Sequence, residues 1–216
     1  MKPDTSEWAS SEHAQSYLAK QDQVPHRTEG EATLLEHLPP VVNRVVDLGT
    51  GDGRLLSLVL AANPEAHAIG LDMSPPMLEA ARSRFAGDTR VQIRAHDLNS
   101  PLPELGNCDA IVSSLAIHHC SNERKHTLYA ECFDRLVPGG MLLNLEHVAS
   151  PTQRLHDEFL VAIGKTHADE DRSNILLDLW TQVRWLTELG FEDVDCYWKW
   201  RELALFGGVK PTSSFR

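Results

Sequence analysis

The segment Val45-Val46-Asp47-Leu48-Gly49-Thr50-Gly51-Asp52-Gly53 constrains the fold more than any other stretch of the chain. An apolar, β-branched-rich run from Val41 to Leu48 ends in glycines at alternating positions. Leu55, Leu58, Val59 and Ala62 then recur at helical spacing. A turn of glycines between a strand and a helix lets the backbone come close to a bound ligand.

The alternation of strand and helix runs on. Residues 68–71, 91–95, 109–117 and 141–148 read as further strands. Ser74-Pro75 marks a helix start, with a side-chain cap and a proline at the first helical position. Ser121 caps another helix, lined by Leu128, Tyr129, Cys132, Phe133 and Leu136 and ended by Pro138-Gly139-Gly140. This order predicts a parallel sheet with helices on both faces. After residue 150 the pattern changes. A helix around Leu155, Phe159 and Ile163 precedes a polar stretch, 165–174. A second helix through Leu176, Leu179, Trp180, Val183 and Leu186 closes at Gly190. Residues 194–200 and 203–209 then form an antiparallel hairpin. Residues 1–40 read as a helical prelude around Trp8, Tyr17, Leu34 and Leu35.

Composition narrows the function classes. With 216 residues the chain fits one domain. Its net charge of −11 repels a phosphate backbone, so nucleic acid is not an expected partner. No apolar run reaches the ~18 residues of a membrane span, so no membrane partner is expected. The first residues lack the apolar core of a secretory signal. Cys108, Cys120, Cys132 and Cys196 are scattered, three of the four in apolar stretches where they read as small core residues, and a reduced, cytoplasmic protein is expected.

Two details of the glycine turn separate candidate cofactors. The spacing is G-x-G-x-G, and Arg54 stands where a dinucleotide fingerprint wants its third glycine. Asp47 lies at the strand end beneath the loop, poorly placed for a pyrophosphate but suited to a cation. S-adenosylmethionine carries an ammonium, a carboxylate and a sulfonium, and no phosphate. Asp72 ends the second strand, where an acid can accept hydrogen bonds from ribose hydroxyls. Asp97 follows the third strand and can receive the adenine amino group, with Leu98 or Met73 on the ring. Its alternative reading is a turn residue before Asn99-Ser100-Pro101. Acids at the carboxyl ends of successive strands fit the rule for ligand binding in open α/β sheets.

With these motifs, SSLAIHHCSNERKHTLYAECFDRLVPGG and Leu189-Gly190-Phe191, the chain resembles the class I S-adenosylmethionine-dependent methyltransferases of the small-molecule branch, over roughly residues 41–209. The resemblance implies an α/β, Rossmann-like, doubly wound sheet of seven strands, mostly parallel with the last antiparallel. It implies a methyltransferase domain over 41–216, a helical lid insertion around 150–189, and an N-terminal segment, 1–40, covering the cofactor. S-adenosyl-L-methionine is the cofactor it implies, touched by Gly49, Gly51, Asp72, Asp97 and the backbone near Ser114 and Leu115. Tyr17 and Arg27 would come from the covering segment, Arg27 as partner of the methionine carboxylate. The acceptor is expected to be a small molecule, its atom (O, N, C or S) open. A nicotinamide-dependent oxidoreductase and a non-catalytic cofactor-binding protein are the alternatives.

The acceptor side points to histidines. His118 and His119 follow the fourth strand, and Glu146 and His147 end the fifth. His119 or His147 is the expected base, with Glu146 behind them, while one of the paired histidines serves only to end the strand. No metal is expected. The alternative ligand set is His118, His119 and His147, with Glu146, His156 and Asp157 nearby, although no spacing among them is diagnostic. Trp198 and Trp200 alternate on one strand face and can pack in the core, shape an acceptor pocket or form a homodimer contact.

Overall fold

The run that ends at Leu48 lies in the middle of a seven-stranded sheet in the computed structural model, which describes residues 24–212. The strands are β1 (Arg44–Leu48), β2 (His67–Asp72), β3 (Val91–Ala95), β4 (Cys108–Ser114), β5 (Leu136–His147), β6 (Glu192–Trp200) and β7 (Leu203–Val209). Their order is β3-β2-β1-β4-β5-β7-β6. The pairings β1–β2, β1–β4, β2–β3 and β4–β5 are parallel, and β7 runs antiparallel to both β5 and β6. This is the doubly wound arrangement expected, with the antiparallel last strand inserted beside β5.

Alternation along the strands splits the core between the two faces. Val46, Leu48, Ile111 and Leu142 meet Leu128, Tyr129 and Cys132 of α4 (Asn122–Arg135) and Leu186 of α6 (Leu179–Glu188). Val45, Val112 and Leu143 meet Leu34 of α1 (Arg27–Glu36) and Leu55, Leu56 and Val59 of α2 (Arg54–Ala62). Each such buried aliphatic side chain contributes about 1.5–3 kcal/mol of transfer free energy. The remaining helices are α3 (Pro75–Arg84) and α5 (Gln153–Ala162). No helix among the described residues is long and apolar enough to cross a membrane.

Several local expectations are corrected. Ser74 begins α3 without capping it: its hydroxyl is buried and unbonded, and Asp72 Oδ1 accepts the Ser74 N–H at 2.8 Å instead. The fourth strand stops at Ser114, because Leu115 takes a left-handed φ of 55° and a 3-10 turn, Ile117–His119, follows. Strand β5 starts at Leu136, directly after α4, so Pro138-Gly139-Gly140 lies inside it. Those glycines find backbone partners in Lys210, through Gly139 N to Lys210 O and Lys210 N to Gly140 O, both 2.8 Å. Leu176 lies outside α6, whose first turn is capped by Asp178 accepting from the Thr181 N–H. Ser121 caps α4 and Gly190 adopts φ 99° after α6, both as expected. Trp8 and Tyr17 lie outside the described residues.

The segment from α5 to α6 packs over the ends of β4 and β5. Lys125, 1% exposed, donates its ammonium hydrogens to the carbonyls of Cys120 and Ile175. The Ile175 N–H in turn reaches the His118 carbonyl at 2.8 Å. These bonds hold the loop that precedes α6 against the turn after β4.

Candidate active site

A cleft containing about 860 Å³ of empty space, part of it open to solvent, lies at the carboxyl ends of β1, β2, β3 and β4. The glycine turn forms its floor. At Gly49, φ is +73° and a Cβ would stand 2.1 Å from the Ala116 Cβ, so the turn after β4 leaves room for hydrogen only. At Gly51, φ is +55° and the space where a Cβ would point is open. The Gly51 N–H is donated to Asp72 Oδ2 at 2.8 Å. Asp72 thus ties the glycine turn to α3, and burial pushes its carboxyl pKa upward.

Asp47 sits beneath the turn, 1% exposed. Its Oδ2 accepts the Thr50 hydroxyl at 2.7 Å, while Oδ1 is buried with no hydrogen-bond partner. Burial pushes its carboxyl up to about 7, against the Thr50 hydrogen bond and the Arg27 charge, which pull it down. Arg27 lines the cleft from α1, donating from Nε to Glu31 Oε1 at 2.8 Å and from Nη2 to Ser114 Oγ at 3.5 Å. Glu31 also takes Arg54, with Nε–Oε2 at 3.0 Å, so the residue that replaces a third glycine braces α1 against α2.

Met73, Asp97 and Leu98 line the cleft from the other side. Asp97 Oδ1 accepts from Asn99 N and Nδ2 at 2.9 and 3.1 Å, so the turn reading of this acid holds while it also faces the cleft. Sequence reasoning passed over Thr50, Met77, His96 and Ala116, which line the cleft too. Only His96 carried a local signal, its place directly before Asp97.

The histidines separate. His119 faces the cleft, whereas His118, Glu146 and His147 lie outside its lining. His118 Nδ1 meets Glu146 Oε1 at 2.5 Å, and burial lowers the imidazole pKa well below its usual value. Glu146, wholly buried and pushed up to about 7 by that burial, also accepts the His147 N–H at 2.9 Å. His147 Nε2 contacts Glu202 Oε2 at 3.0 Å. The ligand set His118, His119 and His147 therefore does not converge on one point.

His119 Nδ1 lies 2.9 Å from Ser173 Oγ, and the Ser173 hydroxyl donates to Asp171 Oδ1 at 2.7 Å. A serine hydroxyl has one hydrogen. With that hydrogen on Asp171, Ser173 Oγ accepts from His119, so Nδ1 carries the proton and Nε2 is the basic nitrogen. Burial, then the neighbouring His118, lowers the His119 pKa and keeps the ring neutral near pH 7.

Residues 45–140 match the family described as a methyltransferase domain. Trans-aconitate 2-methyltransferase from Methylobacterium nodulans is 38% identical over 149 residues, 66% of this chain and 53% of that protein. The family match, the relatives and the solved structures together support a class I S-adenosylmethionine-dependent methyltransferase. Another relative, the malonyl-[acyl-carrier protein] O-methyltransferase of Methylococcus capsulatus, is 35% identical over 66% of this chain and 52% of its own length. Among solved structures, the methyltransferase SibL in its apo form superposes with TM-score 0.66 at 25% identity, covering 85% of this chain and 55% of that one. An O-methyltransferase family protein from Burkholderia thailandensis, 17% identical, shares the fold at TM-score 0.74, covering 99% of this chain and 64% of that one. The chain spans about half the length of the relatives it matches by sequence.

The cofactor of this methyltransferase family is S-adenosylmethionine, and the cleft suits its chemistry. Asp47 Oδ1 is a buried acceptor without a donor, and the bare backbone at Gly51 leaves space that a side chain would fill. Leu98 and Met73 offer apolar surface beside the acids, and among the described residues Arg27 is the one arginine or lysine in the lining.

Proposed function

We propose that this chain transfers a methyl group from S-adenosylmethionine to a small-molecule acceptor, with His119 as the base that removes an acceptor proton. When bound, the cofactor supplies an electrophilic methyl on its sulfonium. Asp47 holds the cofactor's ammonium and stays ionised against it, and Arg27 holds the carboxylate. The backbone at Gly49, Gly51 and Ser114 lies alongside the methionine portion. Asp72 takes the ribose hydroxyls, and Asp97 the adenine amino group between Leu98 and Met73. Tyr17, expected at the same site from the sequence, lies outside the described residues. The segment 150–189 serves as the lid over the acceptor and carries Asp171 and Ser173 to His119.

The observation that carries this reading is the His119–Ser173–Asp171 chain, which opens on the same cleft as the glycine turn. His119 is neutral near pH 7 and faces the cleft, so its imidazole can accept a proton from an O–H or N–H nucleophile. Burial holds its pKa down to about 3 and limits its strength as a base. Glu146 and His147, expected as alternative bases, become positioning residues: Glu146 holds His118 beneath His119, with the two rings 4.0 Å apart.

The test is conversion of S-adenosylmethionine to S-adenosylhomocysteine with a panel of acceptors, read by mass spectrometry. Small carboxylic acids such as trans-aconitate, malonyl thioesters, phosphoethanolamine and phenols cover the acceptor classes for which the relatives are named, plus one more. The reading requires turnover with at least one acceptor, lost in His119→Ala. Calorimetric binding of NADH in place of S-adenosylmethionine would overturn it.

A further inference from the structure

Behind the acceptor side, a second polar cluster joins α5 to the loop that follows it. His156 Nε2 lies 3.0 Å from Glu170 Oε2, and Glu170 Oε1 lies 2.6 Å from His167 Nδ1. His167 Nε2 is 3.1 Å from Asp157 Oδ1, and His156 Nδ1 is 2.9 Å from Glu202 Oε1. Among the described residues, His156, His167 and Glu170 are the one group of histidines, cysteines and acids whose ligand atoms all fall within 4.8 Å of one another.

We propose that His156 Nε2, His167 Nδ1 and the Glu170 carboxylate form a binding site for a divalent transition-metal ion, Zn²⁺ by chemistry, with water completing its shell. Three observations carry this. First, two imidazoles and one carboxylate are a donor set for Zn²⁺ and its neighbours, not for Ca²⁺ or Mg²⁺, which take oxygen ligands. At Zn–ligand distances of about 2.0–2.1 Å, tetrahedral ligand atoms stand roughly 3.3 Å apart. The contacts of 2.6 and 3.0 Å, made to the two oxygens of Glu170, and the 4.8 Å within which all three ligand atoms lie bracket that spacing.

Second, each imidazole already has a carboxylate on its other nitrogen: Glu202 for His156 and Asp157 for His167. Such partners fix the tautomer that presents the ligating nitrogen and raise its basicity. Glu202 is 1% exposed and also contacts His147, so its position is set by the fold rather than by the surface. Third, the three ligands come from two pieces of chain: His156 from α5, and His167 and Glu170 from the turn after it. One ion would pin those pieces together. The loop so pinned continues directly into Asp171 and Ser173, which hold His119. The site lies outside the cleft lining, so its role is to clamp the lid, and it stands whether or not methyl transfer is the activity.

The site departs from the ligand set suggested by the sequence. His118, His119 and His147 are spent on Glu146, Ser173 and Glu202, and of the residues named there His156 supplies a ligand and Asp157 a supporting carboxylate.

The full chain, stripped with a chelator and dialysed, would be titrated with ZnCl₂ by calorimetry, and its melting temperature followed with and without the ion. Wild type is expected to bind one Zn²⁺ per chain and to melt at a higher temperature with it, while MgCl₂ gives no shift. His167→Ala and Glu170→Gln should each weaken Zn²⁺ binding by at least about tenfold. His167 is 59% exposed, so its loss should leave the metal-free melting temperature unchanged. The proposal is overturned if wild type binds no stoichiometric Zn²⁺, or if both variants bind it as tightly as wild type does.

Discussion

Ser173 accepts the Nδ1 proton of His119 across 54 positions of the chain. Its own hydrogen goes to Asp171, so one hydroxyl fixes which nitrogen of the imidazole is basic. Ser173→Ala removes that constraint without touching the cleft floor. We expect kcat to fall about tenfold or more, with S-adenosylmethionine affinity unchanged. His119→Ala should cost about 10²–10⁴ in kcat, the usual share of a general base. Single-turnover rates beside calorimetric cofactor binding check both variants, and a parallel loss of affinity would remove His119 from the proton-transfer role.

Gly51 combines a left-handed φ with open space facing the cleft. Valine there must adopt a conformation costing about 1–3 kcal/mol and also fills the space left for the cofactor. Gly51→Val should raise the Kd for S-adenosylmethionine at least about tenfold, an effect of 1.4 kcal/mol or more. Circular dichroism should show the secondary structure retained.

Asp47 gives a pH signature. Its pKa rises from 3.8 to about 7 on folding, so the native state holds a proton that the unfolded chain releases. Stability from this group is fully present below about pH 4 and is lost as the pH rises through about 7. Glu146, raised from 4.5 to about 7, acts in the same direction. Cofactor binding has the opposite slope, because an ammonium needs the ionised carboxylate. Affinity should therefore weaken below pH 7, by up to about tenfold per unit. Asp47→Asn should bind more weakly, with that slope gone, and should melt higher than wild type at pH 8 without cofactor.

Lys125 donates to two loop carbonyls from a buried position. Lys125→Met keeps much of the volume but leaves the Cys120 and Ile175 carbonyls without that donor. A loss of about 1–3 kcal/mol in unfolding free energy is expected from urea titration. Because Ile175 also bonds the His118 backbone, the acceptor KM should rise more than the cofactor Kd.

The parts of the fold that sequence reasoning recovered are those written in local periodicity. Strand β3 matches residue for residue, and the reversal of β7 follows from two short strands joined tightly. The glycine turn was legible because its constraint is local, a positive φ at three successive glycines. Errors came where a distant partner overrides a local preference. Ser74 has the right type and place for a cap, yet its hydroxyl stays unbonded: Pro75 and Pro76 offer it no N–H, and Asp72 binds the Ser74 N–H. The Pro-Gly-Gly after Leu136 looks like a helix stop followed by a gap, and pairing with Lys210 on one side and the β4 register on the other keeps it in the strand. His118 and His119 are adjacent in sequence and indistinguishable there. Their separation into a buried partner of Glu146 and a cleft residue depends on Ser173, which no spacing announces.

Glu202 occupies the tight reversal between β6 and β7, a kind of place where added residues and new chain ends are ordinarily tolerated. Here the reversal is no permissive tip. Its carboxylate reaches inward to His147 and His156 at once, and its carbonyl accepts the Val148 N–H at 2.8 Å. An engineer seeking to circularly permute this scaffold, or to graft a tag between its last two strands, would cut the joint that links the far sheet edge to the lid. The loop around Gly87, left-handed and open on its Cβ side, is the better seam.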